Sequence, residues 1–212
     1  MHGLFSTDMP ATRFARNVLL VSVAGLLPPL ALYVALTPGL GAALAAGGPA
    51  PGRFLRQILT NGLPAVFAVN FIGFVLFARA VERPDRDAAR VLLIDVPARI
   101  AAFALVHVAV YVLSAGWFGS FGGSRLTALA VVAPTLARAA LFENVSGVYL
   151  YATFVSALPL YAHCAGRSAW LAALTRRLPA GWGASLTALV LFAVVVIALT
   201  ALARLVAGAQ TA

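Results

Sequence analysis

The sequence predicts an all-α, polytopic transmembrane helix bundle, with five spans plus one interfacial or re-entrant helix; six full spans is the alternative. Three observations predict it. The chain is 62% hydrophobic and only 10% charged, with a mean hydropathy of +0.97, whereas a soluble domain carries about 25% charged residues. Its apolar residues gather in runs close to the ~20 residues that a bilayer requires. Its basic residues, all arginine, stand singly or in pairs at the ends of those runs, where they orient a chain and meet anionic headgroups.

These observations also exclude. With 212 residues and about five or six spans there is no room for a large extramembrane domain, so the whole chain reads as one integral membrane domain. A net charge of +9 would suggest nucleic acid in a soluble protein, but arginines placed at span ends do not form a binding face. Cys164 is the single cysteine, which excludes an internal disulfide and a thiolate metal cluster within the chain.

The first span is residues 18–36. It is longer than the ~7–15-residue core of a signal peptide, and Pro28-Pro29 inside it predicts a kink. Residues 37–52, rich in glycine, alanine and proline, predict a flexible loop. Residues 53–59, with Arg53 and Arg56, predict a short interfacial helical turn. The second span is 63–80, with Asn61 as its cap, Pro64 in its first turn and Asn70 near its centre. The arginine-rich stretch after it is the clearest cytoplasmic marker.

The third span is 96–115. Proline at 97 belongs in a first helical turn, which places Asp95 at the cap and His107 at mid-depth. A glycine–aromatic loop over 116–123, with Trp117, Phe118 and Phe121, suits the interfacial belt. Residues 126–142 are ambiguous, being apolar but short and interrupted by Pro134 and Arg138. Residues 148–165 and 184–207 are the last two spans, separated by a second basic connection. Counting arginines by side gives nine inside against five outside for five spans, and eight against six for six. Five spans with a cytoplasmic N-terminus, in a bacterial inner membrane, is the topology this favours.

The residues that could carry chemistry are few. An ionisable group at mid-bilayer is a functional candidate by default, which singles out His107, with Tyr111 one turn on and Arg99 two turns back. The plainer reading is a neutral imidazole hydrogen-bonded to a neighbouring helix. Haem held by two histidines would need them at similar depth; His163 lies near a span end, ~10 Å or more from the level of His107. Only single-histidine ligation of haem or a pigment by His107 is left, and no cofactor or metal is predicted. Asp95 and Arg99, four apart, pair across one turn, and the favoured reading is a helix cap beside an arginine that faces headgroups. Asn70 reads as helix–helix glue. Arg138 and Glu143, at the end of the ambiguous helix with Asn144, read as solvated. No phosphate loop, serine-hydrolase, zinc-protease or paired-carboxylate pattern occurs.

The function these features favour is an accessory or assembly subunit that packs against a larger membrane complex, with lipid and other membrane subunits as partners. A transporter or permease component, its substrate meeting Asn70, Arg99, His107 and Tyr111, is the first alternative. A membrane-embedded enzyme acting on a lipid or isoprenoid, with His107 as general base, is the second. It lacks a second strong polar group beside His107, so the balance leans away from an enzyme.

Overall fold

The computed structural model describes residues 5–6, 8–81, 88–118 and 125–167, with single positions at 173, 190, 197 and 201. Every regular element among them is helical. In order they are α1 (Ala11–Leu36), α2 (Leu40–Ala45), α3 (Pro49–Gln57), a π turn (Ile58–Gly62), α4 (Leu63–Val81), α5 (Ala88–Phe118), α6 (Arg125–Ala140) and α7 (Val145–Arg167). The predicted last span, 184–207, lies outside the described residues apart from three single positions.

Four helices, α1, α4, α5 and α7, enclose one core. α1 packs along α7, α4 along α5, and α4 and α5 also meet α7. Small residues let α1 and α7 approach closely. A Cβ on Gly25 would sit 2.9 Å from the Ala152 carbonyl oxygen and overlap the Ser156 hydroxyl. Ala152 and Ala157 are fully buried on the facing helix. Backbones that come this near replace long side chains with direct van der Waals contact, as membrane helices do where water supplies no driving force.

The distribution of polarity is inside-out. Ser22, Asn70, Asp95 and Arg99 are buried, while Leu20, Leu27, Leu36 and Leu105 are each more than 60% exposed. A water-soluble bundle does the reverse, and buried polar groups with bare leucine outside are the informative deviations. Two helical runs, Ala11–Leu36 of 26 residues and Pro49–Arg79 of 31, are long and apolar enough to cross a membrane.

Several boundaries differ from the sequence reading. Residues 37–52 are not a flexible loop: α2 and the start of α3 occupy most of them. Gly39, Gly47 and Gly48 take positive φ of 74°, 76° and 67°, a left-handed geometry that glycine adopts at little cost. Pro49 then fills the first turn of α3, where its missing N–H is not needed. The interfacial turn expected at 53–59 is instead part of α3 and the π turn, which run on into α4. Asn61 therefore lies inside the π turn and caps nothing.

The largest difference is in α5. Its helix runs from Ala88, so Pro97 is an interior proline and Asp95 is not a cap. Phe118 is still helical, so residues 116–118 of the expected glycine–aromatic loop are part of α5, and the rest of that loop lies outside the described residues. α6 has 16 residues, about 24 Å at ~1.5 Å per residue, which falls short of a ~30 Å hydrocarbon core.

Candidate functional site

Two groupings of polar side chains lie on the inner stripe of α5. Asp95, Arg99, Phe103 and His107 recur every four residues and are all buried, as a helix face with a 3.6-residue period requires. Arg99 belongs to the first grouping and His107 to the second, about 12 Å further along the axis.

The first grouping is a node around Arg99, which has no exposed surface. Its Nε donates to Asp95 Oδ2 at 2.7 Å. Nη1 donates to Asn70 Oδ1 at 2.7 Å and, more weakly, to the Thr153 carbonyl at 3.4 Å. Asn70 Nδ2 in turn donates to Ser22 Oγ at 2.9 Å. The Tyr161 hydroxyl donates to the same Asp95 oxygen at 2.9 Å. One guanidinium thus ties together α1, α4, α5 and α7. Arginine suits this, since its planar fork presents five donors in fixed directions.

α4 shapes the seat. Asn70, Gly73 and Phe74 stand at i, i+3 and i+4, one above another on the face that meets α5. A Cβ on Gly73 would lie 2.6 Å from Arg99 Cζ, and that cation sits 4.9 Å from the centre of the Phe74 ring. Nη2 has no hydrogen-bond partner; it lies against Gly73, and the nearby aromatic ring is a partial electrostatic substitute. The expectation of a headgroup-facing Arg99 beside a capping Asp95 is overturned. The arginine is the largest fully buried side chain among the described residues.

The second grouping surrounds a cavity of about 690 Å³ at the end of the bundle where α1 finishes and α4 and α7 begin. Its walls come from the end of α3 and the π turn (Gln57, Thr60, Asn61), α5 (Val106, His107, Val110) and the α6–α7 corner (Thr135, Asn144, Tyr149). His107 is 8% exposed, its ring 4.3 Å from that of Phe103. The backbone of Phe103, one turn back, interacts with the imidazole, yet Nδ1 has no partner of acceptable hydrogen-bond geometry. The interhelical hydrogen bond expected of a structural histidine is not made at this atom.

Unusual backbone flanks this cavity on both sides. The π turn lets Gly62 come so close to Tyr149 that any Cβ would overlap its ring. Single π turns inside α-helices recur at functional sites. At the corner between α6 and α7, Phe142 takes φ of 61°, a conformation that costs a bulky residue of order 1–3 kcal/mol. The corner is held by Asn144, whose Nδ2 donates to the Thr135 carbonyl at 3.0 Å. Its Oδ1 accepts from the Gly147 N–H at 3.1 Å, which caps α7. Tyr33 and Tyr151 meet the Phe142 ring edge-on, at 5.9 and 5.2 Å.

Of the sequence-predicted residues, Asn70, Asp95 and Arg99 come together, and His107 stands apart from them. Tyr111 lies on α5, but its side chain is outside the described set, as is that of His163. Arg138 and Glu143 are 3.8 Å apart and more than half exposed, a solvated pair as expected. Asn144, beside that pair, caps α7 and lines the cavity. Sequence reasoning missed Ser22 and Tyr161 in the node, since isolated hydroxyls in apolar runs carry no spacing signal. It also missed Gln57, Thr60 and Tyr149. Among the described residues no three histidine, cysteine or acidic side chains cluster as a metal site would require.

No protein-family model matches the chain, and no significant match is found among characterised proteins or solved structures.

Proposed function

We propose that this is a polytopic integral membrane protein that works as an accessory or assembly subunit, packing as a preformed body against a larger membrane complex. The observation that carries this reading is the Arg99 node. The mid-bundle groups that could meet a substrate are engaged with one another instead, across all four core helices. A polar substrate passing between them would have to displace a 2.7 Å ion pair that has almost no solvent contact. Breaking such a pair from one side leaves an uncompensated buried charge, at a cost of about 3–5 kcal/mol. The node therefore fixes how the helices associate. Polar residues act as such glue in membranes, where bare leucine gives little specificity.

The same reading covers topology. α1, the run from α3 to α4, α5 and α7 cross the membrane, the apolar segment 184–207 crosses as a fifth span, and α6 is the half-buried helix. The arginine distribution supports an N-terminus on the cytoplasmic side of a bacterial inner membrane.

The test is mild solubilisation of the protein from its native membrane, followed by size analysis and identification of co-purifying chains. Recovery in a stoichiometric complex with other membrane subunits is the expected result. A lone monomer, unchanged by chemical cross-linking before lysis, overturns it. One observation favours the permease reading as a second: His107 borders an open cavity rather than a closed helix contact.

A further inference from the structure

We propose that the cavity beside His107 is a binding site for a neutral, hydroxyl-bearing group carried on an apolar body. The site stands independently of whether the chain works alone or within a complex.

Its volume, about 690 Å³, falls within the ~300–1,000 Å³ of small-molecule sites. None of the thirteen lining residues carries a formal charge. Around the space are carboxamides (Gln57, Asn61), hydroxyls (Thr60, Tyr149) and the imidazole of His107, interleaved with alanine, proline and valine. A charged ligand would lose its hydration there without a counter-charge, a penalty that neutral hydroxyls escape by trading water for amide and hydroxyl partners. His107 supplies the most specific signal. It lines this space while only 8% exposed. An imidazole at the cavity wall can donate to or accept from a ligand hydroxyl, whichever tautomer is present.

The mouth explains the apolar body. Pro64 and Val110 line the cavity and are exposed to its surroundings, which gives the opening an apolar edge. A ligand whose head occupies the cavity would keep its apolar portion along this perimeter. The shared chemistry, a neutral hydroxylated head, belongs equally to a lipid and to a free polyol, and the experiment separates them.

The full chain in detergent is presented with four probes and read by native mass spectrometry: 1,2-dioleoylglycerol, monoglucosyl-dioleoylglycerol, glucose, and dioleoylphosphatidic acid as an anionic control with the same chains. The two neutral lipids are expected to be retained at least tenfold more than phosphatidic acid. Retention should fall about tenfold or more in His107→Leu, and in Thr60→Trp, which plugs the exposed mouth without entering the core. His107→Asn keeps a polar group at the cavity wall and is expected to retain binding. Retention of glucose with the same dependence on the variants assigns the site to a free polyol. Equal or stronger retention of phosphatidic acid, no retention of any neutral probe, or retention unaffected by both His107→Leu and Thr60→Trp overturns the proposal. Each variant is compared at matched thermal stability, so that a misfolded protein is not counted as a non-binder.

Discussion

Arg99 and His107 lie on the same face of the same helix, two turns apart, and their surroundings are opposites. Around Arg99, Asp95, Asn70 and the Thr153 carbonyl take the donors of Nε and Nη1, and Nη2 rests against Gly73. His107 instead lines a cavity, and among the described residues none of the hydrogen bonds that join the core helices runs through it. Burial alone does not distinguish them, since both residues are less than 9% exposed. What separates them is where the polar atoms end. A buried group that terminates on other helices holds those helices together. One that borders a cavity is within reach of something that is not part of the chain.

This contrast can be broken by substitution, most forcefully at the node. Asp95→Ala leaves a guanidinium buried without its carboxylate, and should destabilise the bundle by about 3–5 kcal/mol, measured as loss of monodisperse protein or a fall in the denaturation midpoint in detergent. Replacing both partners, Asp95→Leu with Arg99→Met, should recover most of that loss. If the single substitution is harmless, the node does not hold the helices. Next in size, Gly73→Ala pushes a methyl group into Arg99 and should cost about 1–3 kcal/mol by overpacking, read by the same midpoint. Ser22→Ala removes only the outermost hydrogen bond and should cost about 0.5–1.5 kcal/mol. The smallest stability effect is expected from His107→Leu, under about 1 kcal/mol, because no hydrogen bond at Nδ1 is lost. A larger loss there than at Gly73 would erase the distinction between the two regions.

The comparison also shows what the sequence could and could not convey. The helical membrane-like character was legible, because composition and run length report directly on the solvent a chain is suited to. So were Asn70, Asp95, Arg99 and His107 as the polar residues worth watching. Their depth was not legible. Pro97 carries the signature of a first helical turn, but α5 runs from Ala88 and takes the proline inside. Correcting the start of that helix takes Arg99 from the interface into the packed interior of the bundle. Tertiary packing sets that register, and local propensity does not encode it. The signal at Gly47-Gly48-Pro49 was present and misread: a glycine pair followed by proline begins a helix as readily as it marks a loop. The cavity was invisible because its walls come from residues 57 to 149, with no fixed spacing among them.

The pairing of α1 with α7 sets a timetable for biogenesis. Ser156 donates to the Val21 carbonyl across 135 positions of chain, and Gly25 is fitted to the same segment of α7. α1 leaves the ribosome before α7, at a synthesis rate of about 5–20 residues per second. It must then wait several seconds in the lipid before its partner is made. During that interval Arg99 can meet Asp95 and Asn70, but neither the Thr153 carbonyl nor Tyr161 yet exists. The interval between α1 and α7 is when an insertion chaperone or a partner subunit would find the node open, and the arrival of α7 ends it.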